Sequence, residues 1–209
     1  RGMHDLLFED ATRFERVINE AKQIAALYHY RTAHTPIVEE TEVFARPLGE
    51  TSDVVNKEMY SFNDRNNDSL TLRPEFTAGV VRAFISNGLQ QHLPLKLFSY
   101  GPLFRYERPQ KGRQRQFHQV NFESFGIDKP WADVELIAMC VDFLKRLGIE
   151  KGLTVALNSL GDSASRHAYR ETLVTYLSKY KNDLSEDSKT RFERNPMRIL
   201  DSKDEKDKA

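Results

Sequence analysis

Residues 104–125, FRYERPQKGRQRQFHQVNFESF, constrain the fold more than any other stretch of this chain. Two alternating, aromatic-rich arms flank a polar loop around Gly112, a pattern that reads as strand, loop, strand. Successive side chains of a strand point to opposite faces. On the first arm Arg105 and Glu107 share a face, and Phe104 and Tyr106 take the other. On the second arm Phe117, Gln119, Asn121 and Glu123 share a face, and His118, Val120 and Phe122 lie opposite. Paired as a hairpin, one surface carries Arg105, Glu107, Phe117, Gln119 and Glu123. A cation, two carboxylates, an amide and a ring are together too polar for a core face unless the surface binds something. The loop, residues 108–115, holds Arg108, Lys111, Arg113 and Arg115 and no acid. Such a loop suits a polyphosphate or a nucleic-acid backbone, although the pattern alone equally describes a solvated hairpin tip.

Around this hairpin, helical and strand patterns mix without a regular strand–helix–strand rhythm. Phe14, Val17, Ile18, Ala21, Ile24 and Tyr28 make one apolar stripe, so a helix is expected over 9–30. Pro36 opens a short apolar step at Ile37 and Val38. Residues 57–62 and 69–73 read as two strands joined by the turn-forming NDRNND. Helices are expected over 77–88, over 132–147 closed by Gly148, and over 163–181. Residues 94–100 and 102–107 are β-prone, and LTVALNS at 153–159 reads as a further strand. The pattern predicts an α+β fold, an antiparallel sheet flanked by helices, and not a doubly wound parallel sheet.

Composition narrows the classes that remain. The chain has 209 residues, long enough to bury a real core. Lys plus Arg and Asp plus Glu are 31 each, so bulk electrostatics do not drive it onto nucleic acid, while a local basic site stays open. No run of about 18 apolar residues suggests a membrane span. One Cys fits a reducing, cytoplasmic setting. Cys140, between Met139 and Val141 in an apolar helix, reads as core. The six histidines show no ligand spacing, so no metal site on protein side chains is expected. Neither a GxxxxGK[ST] loop nor a GxGxxG turn is present. The charged end, DSKDEKDKA, reads as a frayed tail or the edge of a missing segment, and Arg1 as a trimmed start.

A second constellation is LRPEFTAG, residues 72–79, at a strand-to-helix junction. Thr77 is a natural cap for the helix that follows, and Glu75 sits near its N-terminus, where a carboxylate stays ionised. Beside the hairpin, Glu75 and Thr77 could grip a ligand's ammonium group.

These stretches resemble one family. FRYERPQKGRQRQFHQ is similar to motif 2 of class II aminoacyl-tRNA synthetases, within them the histidyl-tRNA synthetases. Residues 35–62 resemble motif 1, and LRPEFTAG resembles the family's LRPEGTA segment. RGMHDLL at the start and NPMRILDSK at 195–203 are similar to further histidyl-specific stretches. The resemblance implies ATP-dependent activation of L-histidine to histidyl-adenylate and its transfer to tRNA(His), with Mg²⁺ accompanying ATP. It also implies a cytoplasmic homodimer joined through motif 1, with no membrane association. By resemblance, Arg105 binds the α-phosphate and is the catalytic cation, Glu107 accepts from the adenine amino group, Phe117 stacks on adenine, and Arg113 reaches the far phosphates. Glu75, Thr77 and Gln119 hold the ammonium and carboxylate region of histidine, and Glu123 accepts from its imidazole. Arg108, Gln110 and Lys111 lie near the tRNA acceptor end.

On this resemblance residues 1–209 are an incomplete class II catalytic domain, with motif 1 at about 35–62 and motif 2 at about 102–126. Motif 3 and the anticodon-binding domain lie outside it. Phe76 stands where the family segment usually has Gly, a departure beside Glu75 and Thr77. The rival from another class is the histidine-binding regulatory subunit of ATP phosphoribosyltransferase, a synthetase paralogue that charges no tRNA. That protein needs neither a basic motif 2 loop nor a stacking Phe117.

Overall fold

The computed structural model describes residues 1–48, 58–159 and 161–208, with the side chain of Leu48 left aside. Residues 1–153 form one compact unit and residues 154–209 a second. In the first unit the order is α1 (Phe8–Leu27), β1 (Arg31–Thr32), β2 (Val38–Glu40), α2 (Thr41–Leu48), β3 (Tyr60–Asn63), β4 (Ser69–Leu72), α3 (Thr77–Ser86), β5 (Leu95–Phe104), β6 (Gln116–Phe125) and α4 (Trp131–Arg146). The expected α+β class with an antiparallel sheet and flanking helices is what these elements build. Part of the motif 1 stretch, residues 49–57, lies outside the described residues.

The hairpin is the spine of this unit. β5 and β6 pair antiparallel over ten positions, from Leu95 opposite Phe125 to Phe104 opposite Gln116. β1 adds to β5 in parallel. A second sheet, β2–β4–β3, is antiparallel throughout. The hairpin of 57–62 and 69–73 is thereby realised as β3 and β4, turning through Asp64, whose carboxylate accepts from Asn66 N and Asp68 N.

Alternation along β5 and β6 makes two cores. Phe98 on β5 meets Ala21, Ile24 and Ala25 of α1, Tyr30, and Met139 and Phe143 of α4, with Tyr100, Val120 and Phe122 against this cluster. Leu95, Leu97 and Leu103 turn the other way and meet Phe76 and Val80 of the α3 region, with Phe84, Phe117 and Phe125 packed around them. Burying one such side chain contributes roughly 1.5–3 kcal/mol. Phe76, the family departure, is 1% exposed, so its ring packs in the second core.

A buried arginine joins the two sheets. Arg73, just past β4, is 5% exposed. Its Nε donates to Pro102 O at 3.0 Å, its Nη1 to Thr35 O at 2.9 Å, and its guanidinium lies over the Phe76 ring at 4.5 Å. Gly101 makes room for it: a Cβ there would sit 2.8 Å from Arg73 Nη2, and its φ of +143° disfavours any side chain. Burial lowers the Arg73 pKa from its ordinary value, against the favourable field of Glu39.

Three expectations fail. Residues 153–159 form no strand, and Val155 and Leu157 are 49% and 75% exposed. Alternation alone does not make a strand, because a ladder needs a partner, and none pairs with this segment among the described residues. Cys140 is exposed. The buried stripe of α4 runs through Met139 and Phe143, and Cys140 is turned about 100° from Met139. Thr77 does not cap α3. Phe76 holds the N-cap position without a side-chain bond, and Glu75 Oε1 instead accepts from Ala78 N at 2.8 Å.

The second unit is built on α5 (Ser163–Ser178) and α6 (Glu186–Arg194), around Leu173, Leu177, Leu184 and Ile199. Asp162 and Ser185 cap the two helices through Ser165 N and Ser188 N. At the charged end, Glu205–Asp207 form a short 3-10 turn. Asp207 accepts from Ser185 N, Ser185 Oγ, Ser188 Oγ and Ser202 Oγ. Against the cost of burial, these bonds hold its carboxyl far below the usual range.

Candidate active site

The α3-side face of the hairpin gathers most of the residues singled out from the sequence. Phe117, Gln119, Asn121 and Glu123 sit opposite Leu103, Gly101, Ser99 and Leu97 and share their face. Arg105 continues this face one step past β5. Its Nε donates to Pro74 O at 2.9 Å, and its guanidinium lies over the Phe117 ring, 5.3 Å from the centroid. That bond fixes the arginine by its Nε and leaves its terminal nitrogens for an anion.

The start of α3 brings the second constellation to the same face. Thr77 Oγ1 donates to Glu123 Oε1 at 2.6 Å, across 46 residues of sequence. Asn121 Nδ2 donates to the same oxygen at 3.2 Å. Glu123 is therefore held by one carboxylate oxygen. Two residues expected to grip histidine separately, Thr77 and Glu123, are in direct contact. Glu75 uses one oxygen on Ala78 N at the first turn of α3, where the helix dipole favours its charge. Gln119 is exposed on the open part of the face.

Beyond β5 the chain enters the cationic loop. Gln110 and Arg113 exchange two backbone hydrogen bonds, 3.1 Å and 2.9 Å, around Lys111 and Gly112. The loop is thus a closed tight turn with Arg108, Gln110, Lys111 and Arg113 exposed. Arg113 Nη1 meets Glu107 Oε2 at 3.2 Å, so two residues expected to contact different ends of ATP are paired with each other. The Arg113 side chain is 54% exposed and that of Glu107 17%, so the pair is open to solvent on its arginine side.

Sequence reasoning missed the supports of this face. Arg73, which locks β4 to β5, stood inside LRPEFTAG with no role given to it. Asn121 was placed on the correct face without a partner. Gly2, whose carbonyl accepts from the backbone at the end of the loop, stood inside RGMHDLL with no role given to it. The hydrogen-bond partners of Arg73 and Gly2 named here lie 29 to 114 positions away, and no local pattern encodes them. Elsewhere, two clefts of about 440 and 360 Å³ flank β1 and share Arg31, His92 and Leu95; no candidate site residue lines either. On the α3-side face Gln119 and Thr77 are exposed, and Arg105, Phe117, Asn121, Glu123 and Glu75 are half-buried. Among the described residues no group of three or more His, Cys, Asp or Glu could hold a metal ion.

Residues 2–172 match the family model of histidyl-tRNA synthetase. This chain belongs to the histidyl-tRNA synthetase family. It is 57% identical over 209 residues to the histidine–tRNA ligase of Wolbachia pipientis wMel, covering all of this chain and 51% of that protein. It is 56% identical over 207 residues to the histidine–tRNA ligase of Rickettsia akari (strain Hartford), covering 99% of this chain and 50% of that protein. The chain spans about half the length of the curated relatives it matches. Among solved structures, apo S. aureus histidyl-tRNA synthetase superposes with a TM-score of 0.75 at 37% identity, over 96% of this chain and 47% of that one. A Bacillus halodurans C structure, described as an ATP phosphoribosyltransferase regulatory subunit/histidyl-tRNA synthetase, superposes with a TM-score of 0.63 at 23% identity. That likeness concerns the fold alone. Membership of the histidyl-tRNA synthetase family is what the ordered motifs led one to expect, and the regulatory rival gains no support from relatives at this identity.

Proposed function

We propose that the full-length protein activates L-histidine with ATP and transfers the histidyl group to tRNA(His), and that these residues carry the ATP and histidine face. The observation that supports this best is the convergence of Arg105, Phe117, Gln119 and Glu123 of the hairpin with Glu75 and Thr77 of the α3 start. In the first step the histidine carboxylate attacks the α-phosphorus of ATP. The new bond is the mixed anhydride, and pyrophosphate leaves. In the second step a hydroxyl of the tRNA's terminal ribose attacks the histidyl carbonyl and AMP leaves. Neither step needs a protein nucleophile. The enzyme's task is alignment and neutralisation of charge on the reacting phosphate.

Within this reading Arg105 presents its terminal nitrogens to the α-phosphate. Phe117 takes adenine on its ring, Glu107 accepts from the adenine amino group, and Arg113 leaves Glu107 for the far phosphates. Mg²⁺ accompanying the nucleotide would offset charge on its phosphates, and no side chain of this face is assigned to hold it. Glu75, Thr77 and Gln119 hold the ammonium and carboxylate of histidine. Glu123, fixed by Thr77 and Asn121 through one oxygen, turns the other to the imidazole N–H. Arg108, Gln110 and Lys111, exposed on the turn, meet the tRNA acceptor end. The protein works as a homodimer joined through the motif 1 region, where Ile37, Val38 and Phe62 are 44%, 37% and 47% exposed. It serves translation in the cytoplasm, and no described helix is long and apolar enough to cross a membrane.

The test is ATP–pyrophosphate exchange by the full-length protein with each of the common amino acids. Histidine alone should support exchange. Exchange with none of them would overturn the proposal in favour of a histidine-binding regulatory protein.

A further inference from the structure

Gly2 is buried against the far end of the cationic loop. Its carbonyl oxygen accepts from Arg115 N at 2.7 Å and from Gln116 N at 2.9 Å. Its φ is +80°, and a Cβ there would sit 3.0 Å from Arg115 Cγ, 3.0 Å from Pro109 Cγ and 3.1 Å from Arg115 N. The conformation favours glycine, and an added Cβ would press on Pro109 and Arg115, which would have to give by a few tenths of an ångström. Arg115 is the junction through which this contact reaches the site. Its carbonyl accepts from Arg105 N at 2.9 Å. Its Nε donates to Glu107 O at 3.1 Å. Its guanidinium lies 4.0 Å from the Tyr106 ring centroid. One carbonyl before α1 thus anchors the point where the loop becomes β6, and that point sets the backbone of Arg105 and Glu107.

We propose that Gly2 is a positioning residue for the nucleotide half of the site, fixing Arg105 and Glu107 through Arg115. This rests on the proposed function for its kinetic consequence, while the contact itself is independent of it. Arg105 and Glu107 sit at the end of β5 and beyond the last β5–β6 pair, Phe104 with Gln116. Arg105 N on Arg115 O, Arg105 Nε on Pro74 O and Tyr106 N on Glu58 O hold this segment, and of these three contacts only the first passes through the residue that Gly2 anchors. The residues proposed for histidine, Glu75, Thr77, Gln119 and Glu123, stand within the ladder or at the start of α3 and do not depend on it. The inference predicts a split: disturbing Gly2 harms the use of ATP and spares histidine.

The experiment compares the full-length protein with Gly2→Ala and with Gly2→Pro, whose ring fixes φ near −65°, far from the +80° that Gly2 adopts. Hydrogen exchange at the Arg115 and Gln116 amides should quicken by about tenfold or more in both. In histidine-dependent ATP–pyrophosphate exchange, kcat/KM for ATP should fall by about tenfold or more, KM for histidine should stay within about twofold, and Tm should hold within about 2 °C. Unchanged amide exchange would overturn the contact. Quickened amide exchange with ATP kinetics like the parent protein would overturn the positioning role, as would ATP and histidine parameters falling together with Tm. A parent protein inactive with every amino acid would defeat the functional reading and the kinetic role of Gly2 with it, and the amide comparison would still decide whether Gly2 holds the loop.

Discussion

On one face of the β5–β6 hairpin, Phe98, Tyr100, Val120 and Phe122 lie under α1 and α4. On the other, Phe117, Gln119, Asn121 and Glu123 look toward the start of α3 and into an open surface. The two faces share one backbone, and each residue of one is the chain neighbour of a residue of the other. The covered face is held by area: Phe98 is fully buried, and its neighbours interlock ring on ring, with Phe98 and Phe122 at 5.0 Å and Tyr30 and Phe122 at 5.3 Å. The open face is held by direction, with Arg105 fixed on Pro74 O and Glu123 on Thr77 and Asn121. Substitutions on the first should cost stability, and on the second should cost chemistry.

The largest effect expected is Phe98→Ala. It removes a ring packed between α1 and α4 and should cost about 3–5 kcal/mol of stability, read by urea unfolding. A loss under about 1 kcal/mol would break the contrast from the covered side. Glu123→Gln should raise KM for histidine about 10- to 100-fold, since hydrogen bonds to a charged group contribute about 1.5–3 kcal/mol. The same variant should leave unfolding within about 0.5 kcal/mol of the parent. Equal shifts in the KM for ATP and for histidine would show that Glu123 does not discriminate between them.

The smallest effect concerns Tyr30, on the covered face. Burial, then the carboxylates of Glu135 and Glu123, push its phenol up to about 12 from an ordinary value of 10.0. The folded state keeps the proton that the unfolded chain loses above pH 10. The stability this contributes is complete below pH 10 and disappears as pH rises through the folded value. Between pH 9 and 10.5 the loss should be under about 1 kcal/mol. Its hydroxyl is buried and has no hydrogen-bond partner among the described residues. Tyr30→Phe should therefore cost no stability at neutral pH and should flatten the alkaline slope of unfolding. A marked loss on Tyr30→Phe would mean that the hydroxyl is satisfied.

The contrast between the faces was legible in the sequence because it is local. Period-two alternation in QFHQVNFESF by itself separates Phe117, Gln119, Asn121 and Glu123 from His118, Val120 and Phe122. The stripe of α1 and the turn between β3 and β4 are local in the same sense. What was hidden spans the chain. Arg73 reaches Pro102 past a glycine that only its presence explains, and Gly2 meets Arg115 over more than a hundred residues. Two local rules also misled. Thr77 has the right type and position for a cap, but its hydroxyl is taken by Glu123. LTVALNS alternates as a strand does, yet alternation supplies no partner.

The central claim, that the α3-side face does the chemistry while the covered face holds the fold, rests most heavily on Arg105. The direct measurement is histidine-dependent ATP–pyrophosphate exchange by the full-length protein and its Arg105→Ala variant, with thermal unfolding on the same preparations. Removing one preorganised charge contact costs on the order of 3 kcal/mol in the barrier, so exchange should fall by about 10²–10³ with Tm nearly unchanged. Near-normal exchange in a folded Arg105→Ala protein would contradict the claim.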